Sequence, residues 1–102
     1  MATRLCALAE LSSGVPLRVE LDTLEVAVVR IGDEVFAVED VCSHADYPLS
    51  DGEVEDCTIE CALHGSRFDL RTGKPTGPPA NRPVPVFPTL VLGGDVYAEL
   101  DT

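Results

Sequence analysis

The sequence has few basic residues. Seven lysines and arginines stand against 18 aspartates and glutamates, so the formal net charge is -11. Nucleic acids and anionic membranes are bound through cations that neutralise phosphates, and this composition therefore argues against both as partners. An acidic surface keeps a small protein soluble and steers it toward a basic protein surface, and the composition fits either role.

The sequence also lacks a long hydrophobic run. No stretch approaches the ~18 consecutive apolar residues that a membrane-spanning helix needs. The N-terminal stretch MATRLCALAEL contains one arginine, and Glu10 interrupts its apolar run, so it lacks the apolar region of a secretory signal. We therefore expect a cytoplasmic protein. In a reducing compartment the four cysteines are expected as thiols or metal ligands rather than as disulfides.

A sustained 3.6-residue hydrophobic period is absent, so no long helix is predicted. Apolar residues alternate or form short β-branched runs, which is typical of strands. With 102 residues the chain has room for one domain, and we predict an all-β fold. Gly32-Asp33 and Gly93-Gly94-Asp95 predict two hairpin turns. The predicted strands are Val15–Leu21, Glu25–Ile31, Glu34–Asp40, Glu53–Cys61, Arg67–Leu70, Val84–Leu92 and Val96–Leu100.

Proline and glycine gather between residues 73 and 88. The stretch Lys74–Pro79 cannot form the interior of a strand, because proline lacks the backbone N–H and fixes φ. Two interpretations stay open from the residues alone. The stretch is either a surface connector or a stiff apolar lid over a neighbouring site.

Cysteine and histidine come close together at two places, which use both histidines of the chain: Cys42-Ser43-His44 and Cys61-Ala62-Leu63-His64. Each pair follows a predicted strand and precedes turn residues, so two similar loops each offer one thiolate and one imidazole. Gly65, directly after the second pair, permits the positive φ that a tight loop around a metal centre needs.

Three interpretations of these pairs are open. The first is that the cysteines are buried thiols and the histidines ordinary surface residues. The pattern disfavours it, because such residues would rarely be arranged as mixed pairs at two strand ends. A structural zinc ion accepts two cysteines and two histidines, but its usual spacings place Cys with Cys and His with His. A 2Fe-2S centre with two histidines on one iron takes one cysteine and one histidine from each loop. The mixed pairs therefore favour the iron-sulfur centre.

The pattern resembles the Rieske motif: Cys42-x-His44, a gap of 16 residues, then Cys61-x-x-His64-Gly65. The segments 49–52, 64–73 and 77–80 (LSDG, HGSRFDLRTG and GPPA) are similar to the family as well. The resemblance runs from about Arg30 to Leu100. Within the family, the chain is most similar to the stand-alone Rieske ferredoxins of bacterial aromatic-ring dioxygenase systems.

The resemblance implies a Rieske-type antiparallel β-sandwich. Residues 1–102 would form a single Rieske domain, with a small cluster-binding subdomain at about 41–80. One [2Fe-2S] cluster per chain is implied, at a tip where the proline loop Gly77–Pro79 forms a third wall. The implied cofactor-binding and metal ligands are Cys42, His44, Cys61 and His64.

The sequence departs from the high-potential members of the family. Tyr47 and Leu63 stand where those proteins carry two further cysteines joined across the ligand loops, so that disulfide is absent. Phe68 replaces a tyrosine whose hydroxyl is aimed at a ligand sulfur, whereas Ser66 is retained and its hydroxyl is available to a bridging sulfide. The comparison implies a potential toward the lower end of the Rieske range, which spans roughly -150 to +300 mV.

Two cysteines lie outside the motif. Cys57 precedes Cys61 in the same predicted strand at an even spacing, so both would point to one face of a regular strand. Cys57 is therefore either an alternative ligand or a small buried hydrophobe, and the second role is the more common one. Cys6, in the first β-like segment, is expected to be structural.

The resemblance implies an electron carrier rather than an enzyme. Such a protein takes single electrons from a flavin-dependent ferredoxin reductase and delivers them to a terminal oxygenase, and we expect it to be a monomer. The chain has no histidine left for a catalytic iron and no Gly-x-Gly-x-x-Gly for a dinucleotide, so catalysis is expected in the partners. Two alternatives stay open: the small subunit of a nitrite reductase-type enzyme, and an accessory for iron-sulfur assembly or sensing.

Overall fold

The computed structural model describes residues 2–43, 46–63 and 65–100. Within these ranges the regular structure is almost entirely β, which confirms the predicted fold class. The helical segments there are two one-turn 3-10 helices, Leu8–Glu10 and Leu49–Asp51, and neither could cross a membrane. The strands of this part of the chain are β1 (Ala2–Ala7), β2 (Leu17–Glu20), β3 (Glu25–Ile31), β4 (Glu34–Glu39), β5 (Val54–Glu55), β6 (Thr58–Glu60), β7 (Arg67–Asp69), β8 (Val86–Phe87), β9 (Thr89–Leu92) and β10 (Asp95–Glu99).

The strands form three antiparallel sheets. The central sheet has the order β2-β3-β4-β8, a second sheet has the order β1-β10-β9, and a small third sheet has the order β5-β6-β7. The small sheet is built from residues that lie between β4 and β8 in the sequence. The chain therefore leaves the central sheet after β4, forms the small sheet, and returns to pair β8 with β4.

Strand β3 lies between two hydrophobic cores, which explains its composition. Val26, Ala27, Val28 and Val29 are all fully buried. Side chains of a strand alternate between its faces, and Val26 and Val28 pack with residues of β1 and β10, whereas Ala27 and Val29 pack with residues of β6 and β7. The central sheet is therefore the middle of three layers. A continuous apolar run is what a strand buried on both faces requires.

Both predicted hairpin turns are present. Gly32, with φ +61, connects β3 to β4, and Gly93 and Gly94, with φ +61 and +81, connect β9 to β10. Positive φ suits the tight two-residue turns whose twist matches that of the flanking strands, and glycine adopts it without strain. The strand predicted at Val15–Leu21 is shorter than expected, because β2 begins only at Leu17, after a proline.

The strand predicted at Val84–Leu92 is wrong as a single element, since the structure divides it at Pro88. The segment before this residue is β8, which pairs with β4 of the central sheet, and the segment after it is β9, which pairs with β10. Pro88 has no N–H for either ladder, and its carbonyl accepts a hydrogen bond from the Glu99 N–H (2.9 Å). The chain therefore changes sheets at Pro88.

The strand predicted at Glu53–Cys61 is also wrong, because a tight turn interrupts it. β5 and β6 form a hairpin, and both residues between them, Asp56 and Cys57, adopt positive φ (52° and 60°). Positive φ at both central positions defines the type I′ turn, and aspartate tolerates it better than most side chains. Cys57 therefore lies in a turn and does not share a regular strand with Cys61.

Candidate metal centre

The first predicted ligand loop begins where the chain leaves β4. Cys42 is 3% exposed, and its side chain packs in the core between the central and small sheets. Its backbone N–H donates to the carbonyl of Tyr47 (2.9 Å). This hydrogen bond ties the residue that carries the thiol to the far end of the loop.

A buried carboxylate fastens the same loop from outside. The Asp40 side chain is fully buried and accepts hydrogen bonds from the Ser50 N–H (2.7 Å), the Ser50 hydroxyl (2.6 Å) and Arg18 Nη1 (2.8 Å). Because Asp40 precedes the loop and Ser50 follows it, these bonds set the distance between its two ends. Asp40 is not among the predicted site residues. In the sequence, only its position directly after a strand could have pointed to a role at the start of the loop.

The second predicted ligand loop follows β6 and is closed in the same way. Cys61 is fully buried. Its N–H donates to the Ser66 carbonyl (2.7 Å), and its carbonyl accepts from the Gly65 N–H (2.8 Å). Gly65 has φ +78, which confirms that the loop uses the positive φ expected there. In both loops, therefore, the cysteine N–H binds the carbonyl five residues further along the chain.

The two thiols lie in one apolar cluster. Cys42 and Cys61 share it with the buried side chains of Leu49, Phe68 and Ala80, and neither cysteine forms a disulfide. Thiolates are the soft ligands that iron-sulfur clusters and zinc require, and surrounding apolar side chains keep water away from such a centre. This half of the predicted donor set therefore fits a Rieske cluster.

The other two predicted ligands, His44 and His64, lie outside the described residues, as does Ala45. The structure thus brings together two of the four predicted ligands. Among the residues that are described, no group of three or more histidine, cysteine or acidic side chains is placed to hold a metal ion. The site would be completed by the two imidazoles, each of which follows its cysteine by two or three residues.

The proline-rich stretch packs against both loops. Ala80 is buried in the cluster that contains the thiols, and its N–H donates to the Ser66 hydroxyl (3.1 Å). Ser43 and Arg82 are joined by hydrogen bonds as well, so the first loop is attached to the same stretch. These contacts are made by residues that follow Lys74–Pro79, in which Pro78 and Pro79 are exposed, so they do not decide between a surface connector and a lid for that stretch. Neither Arg82 nor Ser43 is a predicted site residue, because their contact joins distant parts of the sequence.

The remaining cysteines have different surroundings. Cys6 is buried in the other core, against β10, and burial raises the pKa of its thiol. Cys57 is half-buried at the margin of the cluster that contains Cys42 and Cys61, and burial raises the pKa of its thiol also. A raised pKa keeps a thiol protonated and favours a packing role over a ligand role. The absence of Cys57 from the ligand set stays a prediction.

Comparison with known sequences defines the class of this protein. The sequence profile of the Rieske [2Fe-2S] domain family matches residues 1–88. The chain belongs to the Rieske [2Fe-2S] domain family, and its cofactor is a 2Fe-2S cluster.

Individual relatives extend the similarity to nearly the whole chain. The ferredoxin component of biphenyl 2,3-dioxygenase from Rhodococcus jostii (strain RHA1) is 40% identical over 99 residues, which cover 97% of this chain and 92% of the relative. The ferredoxin of carbazole 1,9a-dioxygenase from Nocardioides aromaticivorans IC177 has a TM-score of 0.92 at 40% identity, over 96% of both chains. A chain from a complex of reduced oxygenase and oxidized ferredoxin in carbazole 1,9a-dioxygenase has a TM-score of 0.90 at 34% identity, over 98% of this chain and 97% of that one.

Proposed function

We propose that the 2Fe-2S cluster is bound by Cys42, His44, Cys61 and His64, and that residues 41–80 form the cluster-binding subdomain of a single Rieske domain. One observation carries this proposal: two buried thiols share an apolar cluster, and each lies on a loop in which the cysteine N–H donates to the carbonyl five residues later. The only two histidines of the chain follow these thiols at short spacing. Two thiolates and two neutral imidazoles carry less negative charge than four thiolates, and this difference favours the reduced state.

When bound, such a cluster supplies reversible transfer of one electron, at potentials between roughly -150 and +300 mV. The residues of the chain supply its surroundings. Leu49, Phe68 and Ala80 are buried around the thiols and exclude water. The Ser66 hydroxyl accepts the Ala80 N–H, and its own proton has no acceptor within the described part of the chain. We infer that this hydroxyl donates to a cluster sulfur, which favours the reduced state.

We infer that the chain is an electron carrier for an oxygenase. It takes single electrons from a flavin-dependent ferredoxin reductase, delivers them to a terminal oxygenase, and leaves catalysis to these partners. It acts as a monomer in the cytoplasm. This inference is supported by the similarity to ferredoxins of biphenyl and carbazole dioxygenases, including a chain from a complex of oxygenase and ferredoxin.

Substitution of single cysteines tests the ligand assignment. Cys42→Ala and Cys61→Ala should lose the cluster, whereas Cys6→Ala and Cys57→Ala should keep it. Iron and acid-labile sulfide content, with the visible absorption spectrum, report the outcome, and far-UV circular dichroism shows whether each variant is folded. A folded Cys61→Ala protein with a full cluster would refute the assignment. Loss of the cluster in Cys57→Ala would add Cys57 to the ligand set.

Docking of the partner is proposed at the end of the molecule that carries the ligand loops. Leu63, in the second loop, is 50% exposed and offers an apolar contact there. Leu63→Ala should slow electron transfer to the oxygenase without changing the visible spectrum. Leu92→Ala is the matched control, because Leu92 is 63% exposed on β9, in a different sheet. Equal rates in the two variants would contradict docking at this end.

The acidic surface predicts a salt dependence of the same reaction. With a net charge of -11, the chain should be attracted to a basic face of its partner. Salt screens exposed charges beyond about 8–10 Å at physiological ionic strength, so the rate of oxygenase reduction should fall as salt is raised from low to physiological concentration. A rate that does not depend on salt would assign the charge to solubility alone.

A further inference from the structure

The stretch 80–84 is attached to the surroundings of the thiols at both of its ends. The Ala80 N–H donates to the Ser66 hydroxyl (3.1 Å), and the Val84 N–H donates to the Gly73 carbonyl (2.9 Å). Ala80 and Val84 are both buried in the cluster that contains the thiols. One end of the stretch is therefore fixed to the second ligand loop, and the other to the turn after β7.

Arg82, midway along this stretch, makes the contact with the first ligand loop. The Ser43 hydroxyl donates to the Arg82 carbonyl (2.5 Å), and Arg82 Nη2 donates to the Ser43 carbonyl (3.3 Å). The two residues are 39 positions apart and exchange hydrogen bonds in both directions. We call this pair the clasp. Ser43 directly follows Cys42, so the clasp joins the 80–84 stretch to the loop next to a predicted ligand.

Arg82 also places a positive charge beside the ligand loop of an acidic chain. Within the described ranges no carboxylate lies within 4.0 Å of its guanidinium. Four other arginines of these ranges are paired with acidic side chains (Arg4, Arg18, Arg67 and Arg71), whereas Arg30 donates to the Gly32 carbonyl. The Arg82 charge is therefore not neutralised by a neighbour, and a positive charge near a redox centre favours the gain of an electron.

We propose that Arg82 and Ser43 are positioning residues for the cluster. Their clasp holds the 80–84 stretch closed over the thiols, and the Arg82 charge favours the reduced state. Because the stretch is bonded to the first loop through Ser43 and to the second through Ser66, it links the two loops in a chain that has no disulfide between them. The inference rests on the ligand assignment proposed above.

Three variants separate the clasp from the charge. Arg82→Gln removes the charge and the guanidinium hydrogen bond, Arg82→Lys keeps the charge, and Ser43→Ala removes the hydroxyl and leaves the charge in place. Arg4→Gln is the control for net charge, because Arg4 lies in an exposed ion pair with Asp95 between β1 and β10. All four variants are purified with the cluster bound, and the visible spectrum of the wild type first establishes that a cluster is present.

Amide hydrogen exchange measures the clasp. Loss of one hydrogen bond corresponds to about a two- to tenfold change in an opening equilibrium. The Ala80 and Val84 amides should exchange faster by this factor in Arg82→Gln and in Ser43→Ala, and at the wild-type rate in Arg4→Gln. Unchanged exchange in Arg82→Gln and Ser43→Ala would overturn the clasp. If the wild type holds no cluster, the proposed ligand assignment fails separately, and exchange at Ala80 still decides whether the clasp exists.

A spectroscopic redox titration measures the effect of the charge. At a fixed potential, Arg82→Gln should shift the ratio of reduced to oxidised cluster roughly two- to fourfold toward the oxidised form. Arg82→Lys and Arg4→Gln should titrate like the wild type. An equal shift in Arg4→Gln, or no shift in Arg82→Gln, would overturn the local role of the Arg82 charge.

Discussion

Replacing Asp40 by asparagine removes a negative charge from a fully buried side chain without changing its size. The carboxylate accepts three hydrogen bonds of 2.6 to 2.8 Å, two from Ser50 and one from Arg18. An asparagine keeps one acceptor oxygen and turns the other into an NH2 donor. If its oxygen stays on the Ser50 N–H, the NH2 group faces Arg18, which also only donates. The Ser50 hydroxyl can turn to accept from this NH2 group, but the NH2 group and Arg18 Nη1 are still two donors that face each other.

The size of this effect follows from the burial of the site. A buried donor without an acceptor costs about 1–3 kcal/mol. Arg18 is partly exposed and also contacts Glu25 (3.3 Å), so it has other partners, and we expect a value of ~2 kcal/mol in the middle of this range. Each ~1.4 kcal/mol is a factor of ten in an equilibrium constant. Separation of Asp40 from Ser50 should therefore become about 30-fold more frequent in Asp40→Asn.

Native-state hydrogen exchange at the Cys42 and Ser50 amides measures this opening, because both amides donate within the fastened loop. Asp95→Asn is the matched control, because Asp95 also pairs with an arginine, Arg4, at 3.0 Å. That ion pair is exposed and contributes little to stability. Exchange should accelerate about 30-fold in Asp40→Asn and by less than about threefold in Asp95→Asn. Equal exchange in the two variants would refute the role assigned to Asp40.

Three further predictions concern packing, pH and redox tuning. Gly52→Ala places a Cβ 1.6 Å from the Glu60 carbonyl oxygen, so its free energy of unfolding, measured in urea, should fall by about 3 kcal/mol or more. Gly77→Ala is the control, because its new Cβ meets nothing within 4 Å and the free energy of unfolding should change little. Burial raises the pKa of the Cys6 thiol above 9.0. The stability that the protonated Cys6 thiol contributes is complete below pH 9.0 and is lost as the pH rises through the folded-state pKa. The urea midpoint of the wild type should therefore fall with rising alkaline pH more than the urea midpoint of Cys6→Ala does. The wild-type potential should lie below ~0 mV, and Phe68→Tyr should raise it if the new hydroxyl donates to a ligand sulfur; voltammetry showing an unchanged or lower value would contradict this.

Strand bounds could be predicted where short-range pattern and burial agree. β3 has the predicted bounds, Glu25–Ile31, because its Val-rich run and the glycine turn that ends it are both local signals. The two ligand loops could be located for a similar reason. Each has its cysteine within three residues of the end of a strand, and Gly65 marks the turn of the second loop.

Elements whose cause is not local could not be predicted. The turn at Asp56 and Cys57 contains no glycine or proline, so the segment around it has the composition of one strand. Pro88 does interrupt a strand-like run, but only the pairing of the flanking segments shows that they belong to different sheets. A strand's partner depends on the packing of the whole chain and not on its own composition.

The hydrogen bonds that surround the thiols are a further case. Asp40 meets Ser50 across ten positions, and Ser43 meets Arg82 across 39. These serine, aspartate and arginine side chains are common surface residues, and no periodicity or motif couples them. They become visible only when the fold places the two loops beside the proline-rich stretch.

The central claim is a 2Fe-2S cluster bound by two cysteines and two histidines. Pulsed EPR of the dithionite-reduced protein, labelled with nitrogen-15 at histidine, tests this claim most directly. We expect a rhombic signal coupled to the nitrogens of His44 and His64, from a protein with about two irons and two acid-labile sulfides per chain. The coupling should be lost one histidine at a time in His44→Ala and His64→Ala wherever the cluster survives. A reduced cluster without histidine coupling, or a colourless protein that contains zinc, would contradict the account.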